Sequence, residues 1–92
     1  KDQMYASGGS IMDNIAEGFE RGNNREFSVF LAYAKGSAGE ARSQLYRSFD
    51  FGYVPQERFD RLITKLKHIS GKLHNMIQYL NATSIRGTRY KH

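Results

Sequence analysis

The chain of 92 residues contains no cysteine and no tryptophan, and it has a single proline beside nine glycines. Without cysteine, disulfide frameworks, thiolate zinc sites, iron–sulfur clusters and cysteine nucleophiles are all excluded. Apolar runs are short, and none approaches the roughly 20 residues that a membrane span requires, so no membrane partner is expected. No charged-then-apolar pattern marks a secretion signal at the start, and the cytoplasm is the expected compartment. The shortage of proline leaves long stretches free of the strongest helix breaker, which predicts an all-α fold. At 10.6 kDa the chain has material for one small domain and excludes a large enzyme.

What is present is positive charge, unevenly placed. Fourteen Lys and Arg face nine Asp and Glu, a net +5. Residues 1–52 hold six basic and seven acidic side chains, whereas residues 53–92 hold eight basic and two acidic. A field of this kind concentrates polyanions near the C-terminal half. Nucleic acid, an acidic protein partner or the chain's own acidic half would each answer it.

Periodicity predicts three helices, over about 3–21, 25–51 and 55–80. In the last, Phe59, Leu62, Leu66, Ile69, Leu73, Met76 and Leu80 recur at alternating steps of four and three, widened by Ile63 and Ile77. That breadth suits a helix packed in a bundle better than a two-stranded coil. Pro55 fits the first helical position. The middle helix reads from an Asn24 cap through Phe27, Leu31, Ala34, Ala38, Ala41 and Leu45 to Phe51, with Gly52 as a left-handed stop. Its small residues Gly36, Ala38, Gly39 and Ala41 are expected to let another backbone come close. In the first helix, Ser7-Gly8-Gly9-Ser10 has the composition of a linker, yet Met4, Ile11 and Ile15 carry helical spacing through it. Residues 1–80 thus read as one helical domain, and residues 81–92, which lack periodicity, as a basic mobile tail.

The segments Ser10-Ile11, Asn14-Ile15-Ala16-Glu17-Gly18 and Arg21, then Glu26-Phe27, Phe30-Leu31, Ala34-Lys35-Gly36-Ser37, Glu40, Gln44-Leu45 and Gly52-Tyr53 form an ordered pattern. In this pattern the chain resembles the 23S ribosomal RNA intervening-sequence proteins, also called four-helix bundle proteins. Members are encoded within insertions in bacterial large-subunit ribosomal RNA genes, and the family is related to the accessory proteins of diversity-generating retroelements. The resemblance covers residues 3–54, and the last helix matches only in character. It implies an antiparallel up-and-down four-helix bundle whose N-terminal helix is missing from this sequence. It also implies a homo-oligomer, a pentamer as in similar members. The retroelement relatives bind nucleic acid and a reverse transcriptase. Gly8-Gly9 departs from the Ala-type residues expected there and puts the straightness of the first helix in question.

Two constellations stand out from the residues themselves. Ser10, Asn14, Glu17 and Arg21 share one helical stripe, and Ser37, Glu40 and Gln44 share another. Facing stripes of this kind satisfy each other by hydrogen bonds, within the chain or across a subunit interface. A metal site at Glu17 and Glu40 lacks further ligands, since no Glu-x-x-His pair occurs. His68, His74 and His92 never form an i, i+4 pair. Hydrolysis by the two carboxylates remains the weakest reading, so the expectation is no catalytic residue, no metal and no cofactor.

The second constellation is Arg58, Arg61, Lys65, His68 and Lys72, which step by three, four, three and four along the last helix. At 1.5 Å per residue this stripe extends roughly 21 Å, long enough to follow successive phosphates. It also reads as a solvated face whose long stems cover the core edge, or as a subunit contact to Asp13, Glu20 or Glu26. Arg86, Arg89 and Lys91 in the tail, with Tyr90 as a stacking ring, would extend a nucleic-acid site. The sequence therefore favours a helical bundle binding RNA or DNA through phosphates. The alternative is an oligomeric scaffold that docks a partner protein, with the basic stripe spent on subunit or partner contacts.

Overall fold

A computed structural model describes the backbone of residues 2–90 and the side chains of residues 7–83. It contains three helices, α1 (Asp2–Glu20), α2 (Asn24–Asp50) and α3 (Gln56–Tyr90), and no strand among the described residues. The short connections turn each helix antiparallel to the one before. The middle helix α2 packs against both α1 and α3, whose backbones do not approach each other among the described residues. The helices therefore lie in one layer, 58 Å long and only 13 Å deep by Cα extents. The radius of gyration, 15.9 Å, exceeds the roughly 12 Å of a compact domain of this length.

The turns are built from local chemistry. Asn23, in extended conformation, caps α2 by accepting the Glu26 N–H at 2.8 Å. The cap is thus one residue earlier than the expected Asn24, because Glu26 also lies within reach of the Asn23 amide, at 3.0 Å, and completes a reciprocal pair. At the other end of α2, Gly52 adopts φ 80°. There the Tyr53 N–H donates to Ser48 O at 2.9 Å and the Gly52 N–H to Phe49 O at 3.0 Å. These two bonds satisfy terminal carbonyls in a Schellman arrangement. Pro55 sits just before α3 rather than at its first position, and its carbonyl accepts the Phe59 N–H at 2.9 Å.

One expectation about helix extent is corrected. Helix α3 runs on to Tyr90, so residues 81–90 continue the helix rather than leave it as a tail. Asn81, Thr83 and Ser84 are indifferent helix formers, yet no proline or capping signal stops propagation, which adds one hydrogen bond per residue fixed. Helix α1, as expected, runs through Gly8-Gly9. The side chains of Arg86 and Arg89, and the whole of Lys91, lie outside the described residues.

The core has two parts. One joins Ile11 of α1 to Leu31, Ala34 and Ala38 of α2 and to Leu73 and Leu80 of α3. The other, near the α2–α3 turn, joins Leu45, Phe59 and Ile63, with Phe49, Val54, Leu62 and Leu66 packed on it. Along α3 the buried line is Phe59, Ile63, Leu73 and Leu80, while Ile69 and Met76 are exposed. The expected seam thus splits, because α3 has a neighbour on only one side and its second apolar stripe stays open. Close approach in α2 is supplied by Ala34, Ala38 and Ala41, all essentially buried. Gly36 has nothing within 4 Å of its Cβ position, and Gly39 only the tip of Arg42.

The tight contact lies instead between α1 and α2, at Gly18. A Cβ there would stand 2.7 Å from Phe30 Cβ and 3.0 Å from Phe27 Cδ1. Gly18→Ala is therefore expected to lower stability by about 1–3 kcal/mol through overpacking. Gly71→Ala, where a Cβ meets nothing within 4 Å, is expected to raise it by about 0.5–1 kcal/mol. Thermal unfolding of the two variants checks the opposite signs.

Candidate nucleic-acid interface

Helix α3 displays Arg58, Arg61, Lys65, His68 and Lys72 on one exposed face. The only ion pairs among the described residues belong to Arg21, with Glu17 at 3.0 Å and Glu26 at 3.4 Å. Arg58, Arg61, Lys65 and Lys72 therefore carry their charge without an ion-paired carboxylate among the described residues. Of the two acidic residues on this helix, Asp60 accepts from Gln56 Nε2 at 2.9 Å and lies some 100° of helix rotation from the stripe, whereas Glu57, four residues before Arg61, shares its face without an ion pair among the described residues. Glu26 is already held by Arg21 and Asn23. The stripe is thus a run of four cationic side chains and one imidazole on an exposed face.

Beside the stripe the layer is concave. A cavity of about 1110 Å³ opens between α1 and α3, over α2, lined among others by Gly8, Met12, Leu45, Val54, Arg58 and Leu62. Ile69 and Met76 follow Leu62 on the same face of α3 at steps of seven, and Phe19 follows Met12 likewise on α1. Met12 and Phe19 are 71% and 73% exposed. An apolar strip therefore runs along the open side, and Arg58, Lys65 and Lys72 border it on α3.

The polar stripes of α1 and α2 come together only in part. Ser10 Oγ meets Ser37 Oγ at 2.9 Å, and Asn14 Nδ2 donates to Ser10 O at 2.8 Å and to Ser10 Oγ at 3.2 Å. Gln44 accepts at 3.3 Å from Ser7, a buried residue that sequence reasoning left within a linker-like stretch. The signal was there, since Ser7 extends the Ser10, Asn14 stripe by one step of three. Glu17 and Arg21 pair at the exposed end of α1, and Arg21 also lies over the Phe30 ring at 4.8 Å. Glu40 is exposed and makes no side-chain hydrogen bond among the described residues; it points away from α1 because it falls about 60° of helix rotation beyond Ser37 and 40° beyond Gln44. No buried side-chain polar atom among the described residues is left unpaired.

A second polar seam, between α2 and α3, was not read from the sequence. Arg42 Nη1 donates to Ser70 Oγ, and Lys35 Nζ lies 3.1 Å from His74 Nδ1. Its signal is weak, because only the pairing of two helices shows that residues 28 and 39 positions apart are neighbours. Among the described residues no group of three or more His, Asp or Glu is placed to hold a metal ion, and no helix is long and apolar enough to cross a membrane.

Comparison with curated proteins gives no match, and comparison with solved structures gives none either. The family model described as 23S rRNA-intervening sequence protein matches residues 1–75, which include all of α1, α2 and the stripe of α3. The three-helix chain belongs to the 23S rRNA-intervening sequence protein family.

Proposed function

We propose that this protein is a non-enzymatic, homo-oligomeric helical bundle of the cytoplasm that binds RNA or DNA through phosphate contacts. The exposed face of α3 supplies them from Arg58, Arg61, Lys65, His68 and Lys72, and Arg86, Arg89 and Lys91 extend the same positive half. The observation that carries this reading is that all five α3 groups are exposed and none is ion-paired among the described residues. Like charges at steps of three and four cost a few tenths of a kcal/mol each in an isolated helix, so a polyanion laid along them relieves that repulsion. Release of condensed counterions supplies the driving force and makes binding salt-dependent but indifferent to sequence. Raising salt from about 50 to about 200 mM is expected to weaken binding about a hundredfold, read by fluorescence anisotropy with a labelled structured RNA and a matched duplex DNA. No binding at the lower salt would overturn the reading.

A second reading rests on the open apolar strip of Met12, Phe19, Ile69 and Met76. There the protein is an oligomeric scaffold, a pentamer by family resemblance, that docks a partner protein. Pull-downs that recover nucleic acid and no protein would count against it, and light scattering reads the subunit number.

A further inference from the structure

The turn between α2 and α3 carries two aromatic side chains that the core does not use. Phe51 and Tyr53 are 70% and 78% exposed, one on each side of Gly52. Burying such a ring is worth roughly 2–3 kcal/mol, and a thin three-helix layer has few other ways to gain it. The turn that holds them is nevertheless well determined, since Gly52 at φ 80° and the bonds from Tyr53 N–H and Gly52 N–H back into α2 fix its backbone. The ring centroids lie 6.0 Å apart with planes tilted by 37°, so neither face is closed by the other. Tyr53 lines the same groove as Arg58, the first residue of the basic stripe.

From this juxtaposition we infer that the α2–α3 turn is a base-stacking site at the end of the phosphate-binding stripe, for unpaired nucleotides of a single strand or a frayed end. The inference rests on the proposed phosphate reading of α3 and deepens it. A strand following Lys72, Lys65 and Arg58 along α3 arrives at the turn, where Arg58 holds its last phosphate and its next base has an aromatic face. Stacking on a protein ring is worth about 1–3 kcal/mol per base and tolerates any base, because every base has a π-face. A continuous duplex keeps its bases stacked inside and gains nothing from the rings. The site thus selects single-stranded over fully paired nucleic acid without reading sequence.

The test uses the 92-residue chain and three fluorescein-labelled probes of one length: a mixed-sequence RNA single strand, its blunt duplex, and the same strand carrying abasic positions. The double variant Phe51→Ala/Tyr53→Ala is expected to bind the single strand about tenfold more weakly, or worse, than the parent. Its affinity for the duplex and the abasic strand, and its salt slope, are expected to match the parent. Phe51→Trp/Tyr53→Trp is expected to keep single-strand binding, which separates stacking from a loss of folding. Equal binding of all three probes by the alanine variant and the parent overturns the stacking site and leaves the phosphate stripe standing. A parent that binds no probe overturns both. An equal loss on duplex and single strand, or a change in mass by light scattering, assigns the rings to the fold or to a subunit contact and overturns the inference.

Discussion

Reversing three charges, Arg58→Glu, Arg61→Glu and Lys65→Glu, is expected to weaken nucleic-acid binding by about two to three orders of magnitude at 100 mM salt and to lower the salt slope by about two to three. Each side chain is exposed and makes no ion pair among the described residues. Stability should therefore change by no more than about 0.5 kcal/mol. The new carboxylates keep the like-charge spacing with the sign reversed, at a cost of a few tenths of a kcal/mol, so helicity by circular dichroism is expected to hold. Loss of affinity with an intact fold places phosphate contacts on α3. Wild-type affinity in the variant would return the stripe to solvent or to a subunit contact, and the scaffold reading would lead. The slope matters more than the affinity alone. A buried defect elsewhere weakens binding at all salt concentrations alike, whereas removed phosphate contacts take their counterions with them.

The largest effect on stability is expected from Phe59→Ala. Phe59 is 8% exposed and stands at the centre of the core beside the α2–α3 turn. Its ring stacks on Phe49 at 4.4 Å between centroids and meets Tyr46 edge-on at 5.2 Å. Truncation removes the transfer free energy of the ring, leaves a cavity beside Leu45 and Ile63, and breaks both aromatic contacts, a loss of about 3–5 kcal/mol. For a domain of this size that lowers Tm by at least about 12 °C. A single layer has little stability to spare, so the variant is expected to be partly unfolded near physiological temperature. Denaturant unfolding followed by circular dichroism reads the change. A loss below about 1 kcal/mol would mean that the α2–α3 hairpin end is not packed as described.

The fold class was legible in the residues because it depends on local chemistry. Helical periodicity, one proline and the stop at Gly52 operate within a few residues of where they stand, and they define three helices and the α2–α3 hairpin without reference to any partner. The family motifs in α1 and α2 mark the same segments. The stripe on α3 was legible for the same reason, since residues at steps of three and four must share a face.

What tertiary structure alone decided is which apolar and polar groups find a neighbour. The expected α3 seam treated Ile69 and Met76 as equals of Leu73 and Leu80, but packing on α2 from one side buries only the latter pair. Ser7 looked like part of a linker until Gln44, 37 positions away, supplied its partner. Gly18 and Gly36 are alike in sequence, yet only Gly18 has Phe27 and Phe30 pressed against it. The end of α3 also differed from its expected place, because helix propagation continues wherever no residue opposes it. Periodicity prescribes the face on which a residue stands. Whether that face is covered depends on contacts between distant segments, and those belong to the assembled layer.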